Sequence, residues 1–167
     1  MTTKINAKLI RKLREKTGAP MFDIKKVLDE VLGNLPANAT HQALQAGEKK
    51  AVEILTKKGF EKALKKADRK TSQGLLEAYM HHSGRVASVV EVFCETDFVA
   101  RNELFKNLAH DLALQVASMG GVDAKELETQ TFIKDPNKKV LEIVKEVIAK
   151  TGENIRIGRI FRVELGK

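Results

Sequence analysis

The side chains with types suited to chemistry gather between residues 81 and 110: His81, His82, Cys94, Asp97 and His110. Such a set first suggests a metal. Adjacent histidines in a turn usually point apart, however, and no CxxC or paired Cys/His spacing accompanies them. No nucleophile, base and orienting acid stand at a recognisable spacing, and the phosphate-cradling patterns GxxxxGK[ST] and GxGxxG are absent. Cys94 alternates with valines and reads as a core cysteine. The reading is therefore no catalytic residue, no metal and no cofactor. What remains is Thr96-Asp97-Phe98-Val99. Local pattern makes Thr96 or Asp97 a helix N-cap and Phe98 a core residue. The alternative is a fold that pushes the acid and the aromatic outward, as an anchor plus a charge for a protein partner.

Those four residues sit where the hydrophobic period changes. Before them, Val86, Ser88, Val90, Val92 and Cys94 share one face and Ala87, Val89, Glu91, Phe93 and Glu95 the other, which is strand alternation. With a strand over 74–80 and a turn at His81-His82-Ser83-Gly84, this predicts a β-hairpin. After them, Leu104, Phe105, Leu108, Ala109, Leu112 and Val116 recur at helical spacing over 102–119, a stripe wide enough to lie on the hairpin, and Gly120-Gly121 ends it. A short helix over 123–129 and a longer one over 138–150 follow. The last strand, 155–165, is expected to put Ile155, Ile157, Phe161, Val163 and Leu165 on one face and Arg156, Ile160, Arg162 and Glu164 on the other. Strand, strand, helix, helix, strand gives an α+β layer: a small three-stranded antiparallel sheet packed with helices.

The first third is helical. Ile5, Leu9, Ile10 and Leu13 mark one amphipathic helix, and Gly18 suits its left-handed end. A second, opened by Pro20, carries Ile24, Val27, Leu28 and Val31; residues 33–38 break it. A third is expected over 48–58, stopping at Gly59, while 40–46 is undecided. The division expected is a three-helix domain over 1–59, a Lys-rich helical linker over 60–70, and an α+β core over 71–167.

At 167 residues and 43% hydrophobic, the chain has enough apolar mass for a core, and 31% charged residues suit a soluble surface. No apolar run approaches the ~20 residues that cross a bilayer. Residues 1–18 read as a folded helix rather than a signal peptide, and one cysteine fits a reducing compartment; a cytoplasmic protein is expected, with bacterial cytoplasm and organelle matrix not separable. The net charge of +8 is uneven: +9 over 1–70, −5 over 71–135 and +4 over 136–167. A basic end suggests RNA or a protein with its own charge pattern. With one tyrosine and no tryptophan, stacking on bases is poorly served, so a protein partner fits better.

Residues 9–28, LIRKLREKTGAPMFDIKKVL, resemble the N-terminal signature of the translation elongation factor Ts family, close to LR-x-x-TGAGMMD-x-K-x-AL. Residues 94–102, CETDFVARN, match that family's second signature nearly letter for letter. Residues 150–155, KTGENI, resemble its third, and Ala63-Leu64-Lys65-Lys66-Ala67 its linker. The resemblance implies a guanine-nucleotide exchange factor for the GTPase elongation factor Tu. The first helices would be a ubiquitin-associated-like (UBA-like) domain docking through Arg14, Met21 and Phe22. Thr96, Asp97, Phe98 and Val99 would intrude beside the GTPase's magnesium and phosphate-binding elements. No membrane and no direct nucleic-acid partner is implied.

Four departures stand out. Gly-Met-Met is Pro20-Met21-Phe22 here, and 32–47 contains an insertion. The family's protruding coiled coil has no counterpart between Met119 and residues 131–135. Long members carry a second core half that this chain lacks. Short members resemble it and are typically homodimers, so a homodimer is expected.

Overall fold

The structure, a computed structural model, describes residues 7–33, 35, 39–120 and 123–167. Ile5, Gly121 and most of the expected break over 33–38 lie outside the described residues. Three helices come first: α1 Ala7–Thr17, α2 Met21–Leu32 and α3 His41–Leu64. Leu13 of α1, Ile24, Val27, Leu28 and Leu32 of α2, and Ala51 and Leu55 of α3 close over one another into a core of their own. These are the apolar positions spaced three and four apart, so one face of each helix supplies the contact.

The third helix is longer than its apolar stripe predicts. It starts seven residues earlier, capped by Thr40, whose hydroxyl accepts the Ala43 N–H at 3.3 Å. The undecided part of the inserted segment is thus helical from His41. Nor does the helix stop at Gly59. A helix-interior glycine costs about 1 kcal/mol against alanine, and here it makes room: a Cβ at Gly59 would stand 3.2 Å from the Ala149 Cβ.

The remainder is β1 Gln73–Met80, β2 Val86–Cys94, α4 Asp97–Ala100, α5 Glu103–Met119, α6 Ala124–Thr129, β3 Thr131–Phe132, β4 Asp135–Lys139, α7 Val140–Thr151 and β5 Ile155–Glu164. Strands β1, β2 and β5 form an antiparallel sheet in that order, and β3–β4 is a separate hairpin too short to announce itself in the sequence. The α+β architecture is as expected. Val90, Val92 and Cys94 of the sheet's inner face pack with Phe105, Leu108, Leu112 and Val116 of α5 and Val140, Val144 and Ile148 of α7. Ser88, on that same face, donates to the Ala113 carbonyl of α5 at 2.6 Å, so its buried hydroxyl is satisfied.

The last strand corrects the expected faces. Val90 pairs with Ile160 and Val92 with Ile157, so two steps along β2 meet three along β5. The extra residue is a β-bulge at Gly158-Arg159, opposite Glu91, and it flips the alternation. Ile155 and Ile157 are buried, but Phe161, Val163 and Leu165 lie on the opposite, outer face, more than half exposed. A glycine inside a strand pattern was the sequence signal for this.

Candidate functional site

At the corner between β2 and α5 the chain makes one helical turn, α4, and each of its residues has a fixed reason for where it points. Thr96 is extended (φ −125°, ψ 159°), and its hydroxyl accepts the Val99 N–H at 3.5 Å. Of the two N-cap candidates, Thr96 takes the position. Val99 turns inward and is buried; Phe98, about 100° round the turn, faces out and is 83% exposed. The core placement that local pattern suggests for Phe98 is overturned. Asp97 is half exposed and pairs with Arg101 one turn on, Oδ2 to Nη2 at 3.2 Å. Asn102 then caps α5, its Oδ1 accepting the Leu104 N–H at 2.8 Å. Two caps in succession hold the corner stiff.

The corner also has a floor. Cys94 is fully buried and its thiol donates to the Thr96 carbonyl at 3.1 Å. Burial and the nearby Glu153 carboxylate push that thiol up to about 11, so it is no nucleophile at neutral pH. Glu153, from the segment joining α7 to β5, reaches under the turn. Its Oε2 accepts the backbone N–H groups of Glu95 (3.2 Å) and Thr96 (3.0 Å), and its Oε1 accepts the Thr96 hydroxyl at 2.6 Å. In return the Glu95 carboxylate accepts the Asn154 N–H at 2.6 Å. Asn154 donates its side-chain amide to the carbonyls of Ala67 and Arg69, at 3.1 and 2.9 Å. Glu153 and Asn154 belong to the quoted 150–155 stretch, but no spacing in the sequence signals their contacts with 95 and 96.

The N-terminal candidates form a second exposed patch. Met21 and Phe22 open α2 directly after its N-cap Pro20 and are 48% and 77% exposed. Arg14 is exposed on the last turn of α1, where its carbonyl accepts the Gly18 N–H at 2.8 Å.

Of the other chemistry-bearing residues, His81 and His82 come together against expectation, their rings 4.1 Å apart and tilted by 45°, but neither meets Cys94, Asp97 or His110 in a metal-binding cluster. His81 Nδ1 is bonded to the Ser83 hydroxyl at 2.8 Å. His110 faces Glu77 (3.0 Å) and Tyr79. Among the described residues no three His, Cys, Asp or Glu side chains stand close enough to hold a metal, and no helix is long and apolar enough to cross a membrane.

The family model for elongation factor TS matches residues 95–167, which begin at this corner. Elongation factor Ts of Thermotoga maritima is 39% identical over 207 aligned residues, covering 98% of both chains. Since 207 exceeds the 167 residues of this chain, at least 40 aligned positions of that relative have no counterpart here. Elongation factor Ts of Clostridium kluyveri is 40% identical over 98% of this chain but 49% of its own, and that of Thermosynechococcus vestitus is 38% identical over 98% and 66%.

Proposed function

This chain belongs to the elongation factor Ts family, and on that premise we propose that it is a guanine-nucleotide exchange factor for elongation factor Tu, acting in the cytoplasm during translation elongation without catalysing a chemical step. One observation carries the reading: Phe98, 83% exposed, stands beside Asp97 on a corner clamped from beneath. An aromatic ring held in water by its own fold is an anchor awaiting a pocket.

The physics follows from what a GTPase must hold. Mg²⁺ requires near-ideal octahedral coordination, so displacing its ligands by a small distance weakens both the ion and the diphosphate it bridges. Burying the Phe98 ring supplies the free energy to move a partner element, and Asp97 brings a negative charge near the ion's site. A coupling of roughly 1–3 kcal/mol lowers nucleotide affinity about 5- to 150-fold, and by reciprocity nucleotide expels the factor. Arg14, Met21 and Phe22 serve the other contact, through a UBA-like helical domain. The reading also includes a homodimer. Leu76, Met80, Phe161, Val163 and Leu165 leave the sheet's outer face apolar and more than half exposed, a surface a twin chain would cover.

The test is release of fluorescent GDP from the cognate GTPase. Wild type accelerates it, whereas the double variant Asp97→Ala, Phe98→Ala loses most of the acceleration. Because Phe98 is exposed and Asp97 half exposed, the unfolding free energy stays within about 0.5 kcal/mol of wild type. A double variant as active as wild type would refute the mechanism.

A further inference from the structure

Exposure alone does not make Phe98 a wedge: a ring on a loose turn would yield to the partner rather than displace it. The stiffness of the corner has a source outside it. One carboxylate, Glu153, takes two backbone N–H groups and a hydroxyl from consecutive residues, 95 and 96, at 3.2, 3.0 and 2.6 Å. Hydrogen bonds to a charged acceptor are roughly twice as strong as neutral ones. Glu153 is itself fixed on both sides. The Gly152 carbonyl before it accepts from Lys66 Nζ at 2.7 Å, and Asn154 after it is buried and bonded to Glu95, Ala67 and Arg69. The Thr96 hydroxyl that Glu153 receives is the same oxygen that caps the turn bearing Phe98.

We propose that Glu153 is a positioning residue for nucleotide exchange: without touching the partner, it sets where Asp97 and Phe98 stand. This rests on the exchange reading above. Asn154 extends the same fixture to residues 67 and 69, just beyond α3, the helix against which α1 and α2 pack.

The experiment titrates the intact chain against the GDP-loaded GTPase and separates the maximal release rate from the half-saturating concentration. Glu153→Ala should lower the maximal rate by roughly 10-fold or more, as small misplacements of a reacting group do, and leave the half-saturating concentration within about 3-fold because the N-terminal helices still dock. Glu153→Gln, which keeps the reach and an acceptor oxygen, should restore most of the rate. A purely structural role gives the opposite split: fewer folded molecules, a raised half-saturating concentration and an unchanged maximal rate. That outcome overturns the proposal. If Glu153→Ala does not fold, Glu153→Asp withdraws the carboxylate by one methylene and is read the same way. The Asp97→Ala, Phe98→Ala control keeps the two ideas apart. Loss in the control with full activity in the Glu153 variants defeats positioning alone, while full activity in the control defeats the exchange site itself.

Discussion

Phe161 stands directly opposite Val89 across the β2–β5 ladder, on the sheet face turned away from α5. The bulge at Gly158-Arg159 puts it there, and with it Val163, paired to Ala87. Together with Leu76 and Met80 of β1 they leave the middle of the sheet uncovered and apolar. If a second copy covers that face, the wild type sediments at twice 18.6 kDa, and Phe161→Lys with Val163→Lys weakens association at least ~100-fold, the scale of losing a central anchor. Sedimentation equilibrium decides it. A monomeric wild type at tens of micromolar rejects the homodimer.

How much of this the sequence disclosed depends on how local each cause is. Caps, turns and strand faces are legible where their determinants lie within four residues: Thr96 as one of two cap candidates, Gly84 in the hairpin turn, Val90 and Val92 on the face they share with Cys94. The faces of β5 were misassigned because a period-two pattern read straight across Gly158 has no means of counting the residue the bulge adds. The start of α3 was undecided because 41–47 has no apolar stripe of its own. Phe98's outward direction was not in the local pattern either; the resemblance of residues 94–102 carried it. The grip of Glu153 on Thr96 spans 57 positions, beyond any spacing rule.

Cys94 is the one nucleophilic side chain near the corner, and its environment silences it. Burial holds the thiol up at about 11, leaving on the order of one thiolate in a thousand at pH 8. Iodoacetamide at that pH should leave the folded chain unlabelled over an hour and label it fully in denaturant, as intact-mass measurement would show. Stoichiometric labelling within minutes in native buffer would mean that the corner opens far more often than its hydrogen bonds imply.

Glu91 gives the acid limb of stability its sign. The Arg159 guanidinium meets it through Nε and Nη2, at 2.9 and 2.5 Å, with the Arg159 backbone N–H adding a third bond at 2.9 Å. These hold the carboxyl down at about 2, against an ordinary value of 4.5. A folded-state pKa below the unfolded one contributes stability in full above about 4.5, lost as pH falls toward 2. Glu164, held low by Lys167 and Arg162, acts in the same direction. Glu91→Gln should therefore melt with a shallower dependence on pH between 4.5 and 2 than wild type, while the two curves run parallel above pH 6. Curves parallel through the acid range would show the ion pair adds nothing to stability.

Gly18 and Gly84 share a left-handed backbone, φ +68° and +67°, but not a neighbourhood. A Cβ at Gly84 would meet nothing within 4 Å, whereas one at Gly18 would come within 2.7 Å of the Lys150 Cα and Cγ on α7. Alanine at either site incurs the left-handed cost of about 1–2 kcal/mol. Only at Gly18 must a helix backbone also move. The pair thus separates strain from collision. Gly84→Ala should destabilise by ~1 kcal/mol and leave exchange intact. Gly18→Ala should cost more, ~2–3 kcal/mol, consistent with strain plus forced displacement of packed backbone. It should also raise the half-saturating concentration for GDP release, because the α1–α2 turn that seats Arg14, Met21 and Phe22 is pushed off α7. The maximal rate should hold, since Glu153 and the corner bearing Phe98 are untouched. Urea unfolding and GDP-release titrations on both variants test this; equal destabilisation at the two glycines would show that the Gly18–Lys150 contact is too soft to fix the N-terminal helices against the core.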